Sequence, residues 1–203
     1  MGLIGSVPHT VGTAVLSTRQ NIYQIRRALQ DSWQDSEILP GPLVYDVALE
    51  SDTIHIHFNS PEEMIPLAKR WAAAISAVTY HTGVGRGPVL QKAELAADRQ
   101  TASFTFDKEL KISAYKGQAG TKAEGWSFEA DKTAWTDDHI ASSRIEKNVV
   151  HLRFKAQVGK SLRACYGIDD DGAGRAIPRG LTDLAAEPFY SIPVAVPTKD
   201  SQP

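Results

Sequence analysis

Short segments that alternate between apolar and polar side chains follow one another along most of the chain after residue 40. In the segment 148–154, the apolar side chains of Val150, Leu152 and Phe154 fall on one face, and His151 and Arg153 fall on the other. Several short strands of this kind, separated by turn residues, are typical of two packed antiparallel sheets. The sequence therefore predicts a mainly β fold, a β-sandwich, with strands at 43–49, 53–58, 102–106, 110–115, 125–130, 148–154 and 161–167.

Two segments have helical rather than alternating patterns. Ser17 and Gln20 have the spacing of a capping box, and an apolar stripe follows them, which predicts an N-terminal helix over 17–33. Segment 60–80 begins with a proline and two glutamates and continues with alanine-rich sequence, so we expect a helical segment inserted between strands. The stripe of the first helix consists of Ile22, Ile25, Leu29 and Trp33.

These patterns divide the chain into three parts. Residues 1–40 form a histidine-containing loop and a helix, and the sequence "LPGP" at 39–42 ends the helical region. Residues 41–193 form the sandwich with its helical insertion at about 60–80. Residues 194–203 are polar and contain two prolines, which predicts a loose tail.

Composition argues against several classes of function. The 203 residues include 22 basic and 24 acidic side chains, with a formal net charge of −2, so the chain lacks the basic excess of a nucleic-acid-binding protein. No apolar run approaches the roughly 18 residues that a transmembrane helix needs. The single cysteine, Cys165, excludes an internal disulfide, and its apolar neighbours predict a buried, unreactive thiol.

Two clusters of metal-ligand residue types have simpler interpretations. His55 and His57 share one face of a predicted strand, but no third ligand is identifiable, and a solvated strand face explains both. The segment 167–174 contains three consecutive aspartates, whereas calcium loops space their carboxylates alternately. We therefore expect no metal site and no cofactor.

His9 is the only candidate catalytic residue in the sequence. It follows a proline in a loop, and neither a G-x-S-x-G elbow nor a glycine–aspartate–serine block accompanies it. A histidine base without a nucleophile does not catalyse acyl transfer by itself. Three aromatic side chains, Trp126, Trp135 and Tyr115, are candidates for stacking on sugar rings, although core packing also explains each of them.

The order of these features resembles the C-terminal portion of sialate O-acetylesterase-like carbohydrate esterases of the SGNH hydrolase superfamily. The resemblance rests on His9 and its following helix, and on short motifs that span most of residues 8–190. Two departures accompany it: Ser6 and Val7 stand where the family has an aspartate that orients the histidine, and Pro8 precedes His9 where the family has His-Pro. The later motifs are Gly41–Pro42, Tyr166–Gly167, Leu181–Thr182–Asp183 and Pro188–Phe189.

The resemblance implies that residues 1–40 are the end of an SGNH-like hydrolase domain and that the sandwich is its accessory part. His9 would then be the general base of a serine esterase acting on acylated glycans, inactive alone because the nucleophile block is absent. The helix stripe would be covered by a larger esterase chain, by a second copy in a homo-oligomer, or by the helix at 60–80. The same resemblance would place the protein outside the cell, in the periplasm or on a virion.

A second class of function stays open at this stage. The chain could be a non-catalytic structural or glycan-binding module, for example of a phage tail spike or fibre. Under that hypothesis His9 is a remnant, and the aromatic candidates would contact the sugar.

Overall fold

The computed structural model describes residues 2–4, 24, 28, 31–32, 38–42, 61–113, 123–167, 177–182 and 184–196. The strands of these residues are short, and a 19-residue helix, α1, precedes most of them. In chain order the elements are β1 (Gly2–Ile4), β2 (Ile38–Pro40), α1 (Pro61–Thr79), β3 (Leu90–Leu95), β4 (Thr101–Phe106), β5 (Leu110–Ser113), β6 (Trp126–Ala130), β7 (Thr133–Thr136), a 3-10 turn (Asp137–His139), β8 (Ile140–Glu146), β9 (Val149–Phe154), β10 (Leu162–Tyr166), β11 (Ile177–Gly180) and β12 (Phe189–Pro193).

Three antiparallel sheets form most of the described structure, so the predicted mainly β fold is confirmed. The two larger sheets have the strand orders β3-β4-β9-β8 and β12-β10-β6-β7, and β5 pairs with β11 in a separate ribbon. The strands predicted at 102–106, 125–130, 148–154 and 161–167 correspond to β4, β6, β9 and β10. The segment predicted at 110–115 begins as β5, whereas those at 43–49 and 53–58 lie outside the described residues.

Aromatic side chains from the two larger sheets meet in one core. Phe104 of β4 lies 4.5 Å from Trp126 of β6 between ring centroids, and Phe154 of β9 contacts Phe128 of β6 edge-on at 5.1 Å. Val150 and Leu152 are fully buried in the same core, as the alternation of β9 predicts. Burial of each such side chain contributes about 1.5–3 kcal/mol, which makes this contact between sheets a principal source of stability.

Helix α1 confirms the helical segment predicted at 60–80, and it lies between β2 and β3. Its first residue, Pro61, needs no hydrogen-bond partner for its nitrogen, and the glutamates that follow favour the positive end of the helix dipole. The loop after the helix turns back against it at Gly85. A Cβ at Gly85 would lie 2.8 Å from the Cβ of Ala77, so this close approach requires glycine.

Strands β1 and β2 form a parallel pair, in contrast to the antiparallel sheets. Gly2 pairs with Ile38 and Ile4 with Pro40, and helical residues Gln24, Ala28, Asp31 and Ser32 lie in the connection. The helical conformation of these four residues, which lie between two parallel strands, agrees with a β-α-β arrangement. The sequence predicted only a loop and a helix here, because strands of three residues are too short to show alternation.

The first two residues of the segment predicted as a loose tail contact the sheet. Val194 is buried, and Ala195 forms a bridge with Glu94 of β3. The amide of Leu95 donates to the carbonyl of Ala195 at 2.8 Å, and the amide of Ala195 donates to the carbonyl of Ala93 at 3.0 Å. Val194 and Ala195 therefore belong with the sheet, because these residues pack against it or pair with its backbone groups.

Candidate functional site

Trp126, one of the three aromatic candidates for sugar stacking, belongs to the core. It is 1% exposed, and its ring packs against Phe104, Tyr166 and Phe189. A side chain enclosed in this way cannot present its face to a ligand, so Trp126 has the core-packing role that the sequence left open beside sugar stacking. The alternation of the segment agrees with this position, since Trp126 shares its strand face with the apolar residues Phe128 and Ala130.

Trp135 is half-buried at the end of the same sandwich. It stacks on the ring of His139, with centroids 5.3 Å apart and planes 7° apart, and it contacts Phe154 edge-on at 5.4 Å. The remaining predicted residues cannot be placed: His9, Tyr115 and the stripe Ile22, Ile25, Leu29 and Trp33 lie outside the described residues.

Cys165 is half-buried rather than fully buried. Its Sγ accepts a hydrogen bond from the amide of Ser191 at 3.1 Å, across the β10–β12 pair. The thiol is therefore held between two strands. This position agrees with a packing role and not with that of a nucleophile.

Polar side chains cover the outer face of the β3-β4-β9-β8 sheet, opposite the core. Cross-strand pairing places them in rows, because residues directly opposite each other point to the same side. Thr101, Arg153 and Ser142 are paired across β4, β9 and β8 and form one row. The next row along the strands consists of Ser103, His151 and Arg144.

A pocket of about 240 Å³ opens on this face. Both rows contribute to it, and so does Ser143, whose hydroxyl accepts a hydrogen bond from the amide of Ala123 at 2.5 Å. The pocket therefore combines hydroxyl groups with cationic side chains, and none of its lining residues in the described part of the chain is acidic. The lining residues are Thr101, Ser142, Ser143, Arg144, His151 and Arg153.

His151 is the titratable group at the centre of these rows. Its Nδ1 lies 2.9 Å from the hydroxyl oxygen of Ser103, and its Nε2 lies 3.8 Å from a carboxylate oxygen of Glu146. Partial burial, together with the positive charge of Arg144, holds the pKa of His151 below its usual value, while Glu146 opposes this shift. The imidazole is therefore neutral over a wider pH range than an exposed histidine.

The sequence of contacts Ser103–His151–Glu146 has the residue types of an acyl-transfer triad, but its surroundings differ from those of an active site. Ser103 lies within β4 and is paired with Glu94 on one side and His151 on the other. The hydrogen bonds of a central strand leave no backbone amides to stabilise an oxyanion beside that hydroxyl. The arrangement is suited to binding rather than to hydrolysis.

Neither a metal site nor a membrane-spanning helix is found in the described part of the chain. No group of three or more histidine, cysteine, aspartate or glutamate side chains among those residues is placed to hold a metal ion. No helix of that part is long and apolar enough to cross a bilayer.

The sequence indicated the orientation of some pocket residues, but it did not show that they lie close together. Alternation in 148–154 predicted that His151 and Arg153 point away from the core, and both do. It gave no sign of Arg144, Ser142 or Thr101, because their proximity depends on the register of three strands. Only the pairing of β4, β9 and β8 shows that these side chains share a pocket.

Comparisons with known proteins show a likeness in structure. No protein-family model matches the chain, and no curated protein matches it significantly. A carbohydrate acetylesterase from Xanthomonas citri has a similar fold, with a TM-score of 0.65 and 18% identity, over 92% of this chain and 40% of that one. An S-layer protein aligns at a TM-score of 0.38 and 12% identity, over 93% of this chain and 22% of the other, which is too distant to support any argument.

The likeness to the acetylesterase shows a shared fold. At 18% identity it shows neither a shared activity nor a shared site. The chain spans 40% of the length of that acetylesterase. It is thus a mainly β protein with the fold of part of a carbohydrate esterase.

Proposed function

We propose that this chain is the accessory part of a carbohydrate O-acetylesterase, related to the C-terminal portion of the sialate O-acetylesterase-like enzymes. The observation that carries the proposal is the structural likeness to a carbohydrate acetylesterase over 92% of this chain. The short motifs noted in the sequence point to the same class. The chain would support serine-dependent hydrolysis of acetyl esters on glycans without supplying the nucleophile.

The parallel pair β1–β2 supports this assignment. Sheets made only of parallel strands occur almost only in α/β domains, where helices cover both faces of the sheet. Two strands of three residues each are too few for an independent parallel sheet. The pair is therefore consistent with the edge of a hydrolase domain whose other strands are supplied by additional sequence or by another chain.

The proposed roles of the serine and of His9 follow from the chemistry of ester hydrolysis. A serine outside these 203 residues would attack the acetyl carbonyl, and His9 would accept its proton as general base. His9 would return this proton to the sugar oxygen as the ester C–O bond breaks and the sugar hydroxyl leaves. The resulting acyl-enzyme would then be hydrolysed by water, with His9 activating that water. No cofactor is needed for either step.

A second candidate function is a glycan-binding module without any part in catalysis. The pocket on the outer face of the β3-β4-β9-β8 sheet favours it, because hydroxyl and guanidinium groups are common ligands of sugars and their substituents. The two candidates are compatible if the esterase domain and the binding module act on the same glycan. They differ in whether His9 is needed for activity.

Native mass spectrometry of the protein from its own source tests the proposal. We expect a larger assembly, or a longer chain containing this sequence, in which one serine reacts with a fluorophosphonate probe. His9→Ala should abolish acetyl-ester hydrolysis by that assembly, and the control His139→Ala should leave it near the wild-type rate, because His139 stacks on Trp135 in the sandwich.

Two results would contradict the proposal. Hydrolysis of acetylated glycans by the isolated 203-residue chain would show that the nucleophile lies within it. An isolated chain with no bound partner and no reactive serine would instead favour the glycan-binding candidate.

A further inference from the structure

The pocket on the β3-β4-β9-β8 sheet has a composition that selects for one kind of ligand. Its charged lining residues are Arg144 and Arg153, whose guanidinium groups lie beside the imidazole of His151. We infer that this pocket binds the carboxylate of an acidic saccharide, such as a uronic acid residue. That the carboxylate belongs to a carbohydrate rests on the proposed function, whereas the preference for an anion rests on the pocket alone.

The two arginines retain most of their hydrogen-bonding capacity in the pocket. Arg144 lies 3.8 Å from a carboxylate oxygen of Glu146, and both side chains are mostly exposed, so this ion pair is weak. Arg153 donates one long hydrogen bond of 3.4 Å to the side chain of Gln100. Since a guanidinium has five N–H donors, each arginine can still form a two-pronged contact with a carboxylate.

The acidic groups near the pocket lie outside its lining. Asp98 lies close to Arg153, but its carboxylate accepts hydrogen bonds from the amides of Gln100 and Thr101 and from the hydroxyl of Thr101, each at 2.9 Å. Glu146 lies beside Arg144 and His151 and outside the lining. On β3, Glu94 is paired with Lys92 at 2.8 Å. The lining itself carries only positive or neutral groups.

The hydroxyl groups of the lining favour a sugar, rather than a bare anion, as the ligand. Thr101 and Ser142 lie on either side of Arg153 in one row, and Ser143 forms part of the wall. The hydroxyl of Thr101 donates to Asp98 and can still accept from a sugar hydroxyl, and the hydroxyl of Ser142 can donate or accept, while the arginines hold the carboxylate. An opening of about 240 Å³ is smaller than the usual ligand pocket, so we expect it to hold one sugar unit and to leave the rest of the saccharide in solvent.

The test is a titration of the full 203-residue chain with galacturonate and glucuronate oligosaccharides. Isothermal calorimetry measures the affinity, and NMR follows the ring protons of His151. We expect saturable binding of at least one acidic oligosaccharide with shifts at His151, and no binding of the neutral oligosaccharides of the same length. Inorganic sulfate should bind more weakly than the saccharide.

Substitutions locate the site and test the charge argument. Arg144→Gln and Arg153→Gln should each weaken binding roughly tenfold to a hundredfold, the usual loss for a charge-assisted hydrogen bond. Lys160→Gln removes one positive charge at an exposed position before β10 and should leave the affinity unchanged. Thermal unfolding of every variant identifies any loss that comes from the fold.

Three outcomes would overturn the inference. They are the absence of binding to any acidic oligosaccharide, binding that survives both arginine substitutions, and sulfate binding as tight as that of the saccharide. None of them bears on the proposed esterase assembly, which is judged by the reactive serine and by His9.

Discussion

Arg86 forms a two-pronged ion pair with Glu187, although 101 residues separate them in the sequence. The Nε of Arg86 donates to Oε1 of Glu187 at 2.5 Å, and a terminal nitrogen of the guanidinium contacts the other carboxylate oxygen. This hydrogen bonding raises the pKa of Arg86. The pair joins the loop after α1 to the segment before β12, and the amide of Glu187 donates to the carbonyl of Pro88 beside it.

The two halves of this ion pair should contribute unequally to stability. The Glu187 side chain is 7% exposed and the Arg86 side chain 42%. Arg86→Met leaves a buried carboxylate without its partner, whereas Glu187→Gln leaves a guanidinium that can reach water. We expect Arg86→Met to lower the free energy of unfolding by about 2–4 kcal/mol and Glu187→Gln by about half as much.

Urea unfolding monitored by tryptophan fluorescence measures both losses. The control is Arg144→Met, whose ion pair with Glu146 is exposed, and its cost should stay within about 0.5 kcal/mol. Equal losses for the two ion-pair variants would contradict the argument from burial.

Replacing Trp126 should lower the free energy of unfolding more than replacing Trp135. Trp126→Ala removes a fully buried ring from the core and should cost about 3–5 kcal/mol, whereas Trp135→Ala at the half-buried position should cost less. Calorimetric unfolding measures the difference, and Trp126→Phe, which keeps an aromatic ring, should recover part of the loss. A small effect of Trp126→Ala would mean that this side chain is not the core residue described above.

Much of the sandwich is predictable from the sequence, because each long strand carries its own pattern. Alternation identified β4, β6, β9 and β10, and a proline with acidic residues identified the start of α1. The pocket is not predictable in this way. His151 is brought beside Ser103 and Arg144 by strand register, and a shift of one residue would turn each side chain to the core face.

The pH dependence of stability should show the contribution of His151. Burial and Arg144 place its folded-state pKa below the unfolded value of 6.5, so the unfolded chain binds the proton more readily. The stability that the neutral imidazole contributes is fully present above pH 6.5. It is lost as the pH falls from 6.5 toward the folded-state pKa. His151→Gln should remove this part of the pH dependence.

NMR titration of the His151 ring protons tests the two charges that act on it. Arg144→Gln should raise the pKa of His151, and Glu146→Gln should lower it, because these groups act in opposite directions. Arg153 lines the same pocket, so a variant of Arg153 tests whether a third charge acts on the pKa of His151. Shifts in the same direction for the Arg144 and Glu146 variants would contradict this electrostatic account.

The parallel pair β1–β2 should depend on a partner for its stability. In the isolated chain, amide hydrogens of the central strands β4 and β9 should exchange slowest, since each is paired on both sides and contributes to the core. Those of Leu3 and Leu39 should exchange at least about tenfold faster, because a two-stranded parallel pair is only marginally stable.

In the proposed esterase assembly, strands of the hydrolase domain would extend this sheet and slow the exchange at both positions. Hydrogen exchange with mass spectrometry on the isolated chain and on the native assembly makes this comparison, and β4 serves as the internal control. Slow exchange at Leu3 and Leu39 in the isolated chain would show that the pair is stabilised within these 203 residues, and the argument for a missing part of the sheet would fail.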